Sequence, residues 1–473
     1  MPTMTISASL SNVWRALREP VLAESRALLR ANWAQLPESL RTPHQMLGRQ
    51  GNGCGATIGA MPRCDFACRG CYLGEEANRI PAQPVDEIKA QMRALRPALG
   101  PAGNLQLTDG EVTLRPADEV IELLRYARSL DVIPMLMTHG DSFRRRPGLL
   151  ERLMVEGGLT ELSIHVDTTQ RGRVGDAYRR ATREAELNPL RAEFAALLAR
   201  ARATTGRPIR AATTMTITPE NIGGVADVAR WLVDHPDAFF MVSFQPIAQV
   251  GRTEAGLGDS VDVEQVWREI ARGVYGDGPA ATERLLAGQE WLGHSACNRF
   301  VHGIATTRAG QPATFHPVRA HDDPADTRPV DGFLRRFGGF STRRDAPLIA
   351  GARLAGLVMR DPLFFARSVP PFAWHWLRRI APDAPLRAAV DIISGRRRVH
   401  GFLFVSHHFM SKAQIETPLG RERLAQCVFH VPVNGKLVSM CEVNALGVRE
   451  QYYAQITAPR ASDRRVATAT PSS

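Results

Sequence analysis

Apolar and polar positions along this chain change period twice. Residues 8–45 place Val13, Leu17, Val21 and Leu22 at helical spacing, with Pro37 as a break, and predict one or two amphipathic helices. From residue 53, short apolar runs alternate with longer helical stretches. The runs predict strands at 56–60, 104–107, 132–137, 162–166, 209–217 and 238–245. Helical patterns lie between them around 85–95, 117–130, 148–155, 189–203 and 221–234, the first expected to stop before Pro97. Six strands alternating with five helices imply parallel strands joined by right-handed crossovers. An open doubly wound sheet and a partial TIM-like barrel both fit that count.

After residue 255 the rhythm fades. Residues 256–295 read as helical, and 316–400 are rich in Arg, Pro, Phe and Trp without a clear period. The stretch 256–400 is expected to cap the barrel mouth. Within it, 361–379 sets aromatics between arginines, the pattern of an interfacial membrane contact or of aromatics packed on the barrel. Pro370 and Pro371 argue against one unbroken helix there. Residues 401–457 read as strand or hairpin structure turning at Asn434-Gly435. The resulting division is a helical segment over 1–50, a barrel core over 51–255, the capping region 256–400, a C-terminal α+β extension over 401–457 and a disordered polar tail over 458–473.

Composition narrows this little. The chain has 473 residues, 44% hydrophobic and 23% charged, which excludes disordered, collagen-like and fibrous classes. A net charge of +11 suggests a polyanionic partner, nucleic acid or an anionic membrane. Only Lys89, Lys412 and Lys436 are lysines, however, and so strong an Arg bias beside many Ala and Gly fits GC-rich coding as well. The N-terminus has no charged region followed by an apolar core, and no run of about 18 apolar residues occurs. The expected location is cytoplasmic, with peripheral membrane contact left open. Seven cysteines, three of them within eight residues, make a poor disulfide framework and are free for metal.

Those three carry the chemistry. Cys64, Cys68 and Cys71 form C-x3-C-x2-C directly after the first predicted strand. Three thiolates on one tight loop can hold three corners of a [4Fe–4S] cube, leaving the fourth iron open to a small molecule. Zinc is the structural alternative, but zinc sites pair two knuckles or add histidines, and no partner knuckle lies nearby.

The motif resembles the radical S-adenosylmethionine (SAM) superfamily, which carries it after the first strand of a partial (β/α)6 barrel. That resemblance implies a TIM-like α/β fold, a [4Fe–4S] cluster whose open iron is chelated by SAM, and an external electron donor such as flavodoxin or ferredoxin. It further implies hydrogen abstraction by a 5′-deoxyadenosyl radical from an unactivated carbon. Here Gly70 rather than an aromatic precedes the third cysteine, and Tyr72 follows it. Thr108, Asp109, Gly110 and Glu111 resemble the family's Gly-Gly-Glu-Pro turn, whose carbonyls accept from the SAM ammonium. By the same resemblance Ser163, His165 and Asp167 on the fourth strand, and Gln245 ending the sixth, are SAM contacts. Arg252 is a further contact of substrate or SAM, and Thr213, Met215 and Ile217 alternate on the fifth strand. No catalytic side chain is assigned.

Cys297, Cys427 and Cys441 remain, in Gly293-His-Ser-Ala-Cys297, Cys427-Val-Phe-His430 and Ser439-Met-Cys441-Glu-Val-Asn444, after a His407-His408-Phe409-Met410 stretch. This pattern resembles the C-terminal extension of lipid-modifying radical SAM enzymes, the tetraether lipid synthases and hopanoid-type adenosyl transferases. It implies a second iron–sulfur cluster at these three cysteines and a lipid or isoprenoid substrate; inert buried thiols are the alternative. Cys54, in Gly53-Cys-Gly55, reads as a small buried residue, with a further ligand as the alternative. Radical modification of RNA or a peptide is the rival activity, and a structural metal-binding protein the non-enzymatic one.

Overall fold

A computed structural model describes residues 10–457. The tail expected over 458–473 lies outside the described residues. Twelve strands join one curled sheet: β1 (Cys54–Ala56), β2 (Asn104–Leu107), β3 (Ile133–Thr138), β4 (Glu161–His165), β5 (Arg210–Ile217), β6 (Met241–Pro246), β7 (Gln289–Trp291), β8 (Asn298–Arg308), β9 (Gln311–Pro317), β10 (Arg397–His407), β11 (Phe429–Val433) and β12 (Lys436–Ser439). Their order is β12-β11-β1-β2-β3-β4-β5-β6-β10-β8-β7, with β9 beside β8. Strands β1 to β6 run parallel in sequence order, the half-barrel that the sequence predicts. Two C-terminal strands extend it in parallel, β11 beside β1 and β10 beside β6.

The helices Val85–Leu99, Ala117–Ser129, Asn188–Thr205 and Val225–Asp234 coat the outer face. Each turns a stripe such as Ile88, Met92, Leu95 and Leu99 onto the strands. Burying one such side chain stabilises the fold by roughly 1.5–3 kcal/mol. The first of these helices runs through Pro97 instead of stopping before it. Pro97 sits in the last turn, where the bond it forgoes belongs to the carbonyl of exposed Arg93, and continuing buries Leu99.

Residues 362–380 also correct the sequence reading. Pro362–Ile380 is one helix despite Pro370 and Pro371. The carbonyls those prolines free, of Ala366 and Arg367, lie on its exposed side where water satisfies them. Only Trp376 of this helix is buried.

The region 256–400 is not purely helical and does not cap the mouth. It supplies β7, β8 and β9, and its later helices gather at the opposite end of the sheet. Arg343 grips Glu161, the first residue of β4, at 2.5 and 3.2 Å, and Arg379 donates to the Pro317 carbonyl. The reason is directional. Because β10 enters parallel to β6, its first residue stands at the N-terminal end of the sheet, and the helices leading into it must end there. The mouth is instead crossed by residues 407–441, which pass from the β6 edge to the β1 edge.

Candidate iron–sulfur and SAM site

The three motif cysteines line a cavity of about 230 Å³ at the C-terminal ends of the parallel strands. Backbone bonds from three directions hold their loop. Ala67 and Arg69 donate to the carbonyls of Arg171 and Thr169 after β4, and Arg252 N–H donates to Cys71 O after β6. The Arg252 guanidinium reaches the Phe66 carbonyl, so this arginine braces the loop rather than facing the cavity. Phe66 stacks on His139 at 3.8 Å between ring centres.

The turn 108–111 is zipped to the approach of the loop, with Gly110 donating to Met61 O and Glu111 to Arg63 O, both at 2.8 Å. A Cβ on Gly110 would stand 2.3 Å from the Arg63 carbonyl oxygen, so the close approach requires glycine. Thr108, Asp109, Gly110 and Glu111 all line the cavity. Both carboxylates are spent inside the protein. Glu111 accepts from Thr113 N, Thr138 Oγ1 and His139 N. Asp109 accepts from Gly59 N, from the Tyr453 hydroxyl at 2.6 Å and from Arg449. Backbone is therefore what the turn offers to a ligand. Tyr72, following the third cysteine, donates to the Asp109 carbonyl and lies under the Arg449 guanidinium, 4.8 Å away.

Ser163, His165 and Gln245 also line the cavity. Asp167 does not: it lies buried behind His165, accepting from the ring at 2.5 Å, from Thr169 N and Oγ1, and from Thr216 N. Burial opposes its ionisation, yet the His165 charge and these donors hold it at about 2. On β5 the alternating residues that the sequence singled out, Thr213, Met215 and Ile217, do not line the cavity. Met215 and Ile217 belong to the core, and Thr213 donates to Ile164 O, whereas Thr214 and Thr216 face the cavity. Gln106 and His139 complete the polar wall; Ile247, Ala248, Val250, Phe409, Phe429 and Met440 make the rest mostly apolar, with Thr253 and Asn444 as its polar members.

Burial pushes the Cys64 thiol up to about 12, and Cys68 upward as well. Thiols of this kind lose their protons when a metal takes their place. Three sulfurs on a braced loop, facing a glycine-dependent backbone turn, fit a three-cysteine [4Fe–4S] site with room for a ligand.

A second cavity, of about 50 Å³, adjoins the first and shares Phe409, Phe429 and Met440 with it. Cys297, Cys427 and Cys441 all line it, and so does Cys54, which the sequence reading had set aside. His407, His408 and Arg423 stand on the same wall, while His294 and His430 do not. Burial raises Cys54 and Cys427 to about 12, Cys441 to about 11, and Cys297 in the same direction. It lowers His407 and His408 to about 4, so both rings are neutral near pH 7. Cys54 opens a three-residue strand in a Gly-Cys-Gly context, and nothing local distinguishes it from a packing residue.

Comparison with known proteins agrees with the motif. Residues 58–232 match the Radical SAM superfamily. That stretch is similar to the domain of a family of enzymes that use a [4Fe–4S] cluster and SAM. No curated protein matches the sequence. Among solved structures, SuiB of Streptococcus suis bound to S-adenosylmethionine is similar at 14% identity and a TM-score of 0.33, over 63% of this chain and 67% of that one. SuiB bound to precursor peptide SuiA gives the same identity and score over 46% of this chain and 44% of that one. No described helix is long and apolar enough to cross a membrane.

Proposed function

We propose that this radical SAM protein acts on an apolar carbon chain, a lipid or isoprenoid, held between its SAM site and the C-terminal extension. The observation that carries this reading is the split lining of the main cavity. Its polar wall, from Thr108 round to Gln245, suits the amino-acid and ribose groups of SAM. The rest of its lining, Ile247, Ala248, Val250, Phe409, Phe429 and Met440, offers mostly carbon, with Thr253 and Asn444 as its polar members. With a [4Fe–4S] cluster on Cys64, Cys68 and Cys71 and SAM bound, the site supplies a hydrogen-abstracting 5′-deoxyadenosyl radical.

The chain's own residues position and shield. The 108–111 turn presents carbonyls to an ammonium group, with Asp109 and Glu111 fixing its shape from behind. Ser163, His165, Thr214, Thr216 and Gln245 present hydrogen-bonding groups, and Asp167 holds the His165 ring. The apolar wall excludes water and other hydrogen donors from the reacting carbon. The electron donor is external, of flavodoxin or ferredoxin type.

Anaerobic reconstitution with iron and sulfide, then dithionite and SAM, tests the reading. The expected outcome is 5′-deoxyadenosine from the native chain, at least 100-fold less from Cys68→Ala, and a new product mass from lipid extract. Product on tRNA or peptides and none on lipids overturns the substrate class. A purified protein holding zinc and forming no 5′-deoxyadenosine overturns the whole reading.

We propose separately a peripheral contact with an anionic bilayer, made by helices at the end of the sheet away from the cavity. The helices Pro347–Arg360, Pro362–Ile380 and Pro385–Ile393 hold ten of the nineteen large apolar side chains exposed among the described residues. Leu354 and Val358 lie on one face of the first, and Leu386, Val390 and Ile393 run along the third, at helical spacing. Exposed Arg360, Arg367, Arg378 and Arg387 accompany them, as anionic head groups require. A second copy would set these like charges against each other. Co-sedimentation with phosphatidylglycerol vesicles, but not phosphatidylcholine vesicles, is expected, falling at least tenfold in L354E/V390E. Equal recovery of that variant with the vesicles removes the contact.

A further inference from the structure

The four cysteines outside the motif come from distant parts of the chain and meet in one place. Cys54 opens β1, Cys297 precedes β8, Cys427 precedes β11, and Cys441 lies in the first turn of Met440–Ala445. Inert cysteines scatter singly into apolar packing. Here all four line the same small cavity, and Cys54, Cys297 and Cys427 stay partly exposed towards it. They are near enough that charge on Cys441, Cys297 and Cys54 bears on Cys427.

Topology explains the convergence. β11 pairs in parallel with β1, Cys54 standing opposite Phe429, and Cys54 N–H donates to Val428 O at 2.9 Å. This pairing sets Cys54 beside Cys427. On the other edge β10 pairs with β8, and His408 N–H donates to the Cys297 carbonyl at 2.8 Å. Arg423, four residues before Cys427 in the chain, reaches this edge, donating from Nε to Cys297 Sγ at 3.2 Å and to the His408 carbonyl at 2.6 Å.

We infer that Cys54 is the fourth protein ligand of an auxiliary [4Fe–4S] cluster held with Cys297, Cys427 and Cys441. The inference rests on the resemblance-based reading that the other three bind iron and sulfide, and adds the residue that closes the site. Spacing favours a cluster over a single ion. One tetrahedral zinc, at a Zn–S distance of about 2.3 Å, gathers its sulfurs to about 3.8 Å from each other. Among the described residues no three of these four thiols lie within 4.8 Å of one another.

A closed set of four has a functional consequence. Every iron then has a protein ligand, so this cluster offers no open position to SAM or substrate, unlike the one on Cys64, Cys68 and Cys71. The Arg423 N–H at Cys297 places positive charge beside the thiolates, one of the levers that set a cluster's potential.

The test uses the full chain carrying Cys64→Ala, Cys68→Ala and Cys71→Ala, reconstituted anaerobically. It is expected to keep about 4 iron and about 4 sulfide per chain and an EPR signal on reduction. Adding Cys54→Ser is expected to cut that signal at least fivefold or to convert the cluster to a three-iron form. In the native chain, iodoacetamide should label Cys54 in the apo protein and at least fivefold less after reconstitution. This readout stands even where the quadruple variant folds poorly. Zinc or no iron in the triple variant, an unchanged signal with Cys54→Ser, or equal labelling of Cys54 would overturn the inference. The native chain's 5′-deoxyadenosine reports the first cluster alone, so failure here is distinct from failure of the proposed activity.

Discussion

Asp109 shows how one residue can be read correctly for its place and not for its work. An Asp-Gly pair after a strand predicts a turn, and the turn is there. The carboxylate, however, faces away from the ligand side to meet Arg449 and Tyr453, which follow it by 340 and 344 residues. No local pattern announces a partner at that distance. The pair is fully buried, and breaking such a pair from one side costs about 3–5 kcal/mol because the other charge is left uncompensated. Asp109→Asn is therefore expected to lower unfolding stability in urea by that order. Because Tyr72 lies under Arg449 and bonds to the Asp109 carbonyl, the same variant should also weaken SAM binding, read as a raised KM. Stability and KM both unchanged would remove Asp109 as the link between the turn and the C-terminal helix.

At the scale of elements, the half-barrel was legible wherever a strand is flanked by strong turn signals. The expected strand 104–107 coincides with β2, and most others lie within one to three residues of their structural bounds. Which face a strand gives to the site was legible on β4, where Ser163 and His165 alternate with Leu162 and Ile164. It was not legible on β5, where residues 211 to 217 are all buried and period-two contrast disappears. The structure supplies the parity, and with it a paired prediction. Thr214→Val removes a cavity-facing hydroxyl bonded to Ser163, and is expected to raise the KM for SAM several-fold with little change in Tm. Thr213→Val removes a buried donor to the Ile164 carbonyl, and is expected to cost about 1 kcal/mol while leaving KM alone. The reverse pattern would return the site to the odd positions.

For the whole molecule, the C-terminal extension is part of the barrel rather than an appendage. The core strands β1 to β6 would by themselves leave two open edges, at β1 and β6. Both are covered from the C-terminal quarter of the chain, by β11 and by β10. The same segment carries Phe409, Phe429 and Met440 into the wall between the two cavities and brings Arg449 to Asp109. Sequence periodicity could see a hairpin turning at Asn434-Gly435, and both residues do take positive φ there. It could not see that the hairpin docks beside the first strand, because strand pairing over such a separation is set by tertiary packing. A chain ending at Gly395 keeps every motif residue from Cys64 to Gln245, so a self-sufficient core would still fold and bind SAM. The exposed edges and the missing wall predict otherwise: aggregation through unpaired β1 and β6, and no 5′-deoxyadenosine after reconstitution. Size-exclusion chromatography and the product assay read these two outcomes separately. A monomeric, active truncated chain would show that the extension serves the substrate alone and not the barrel.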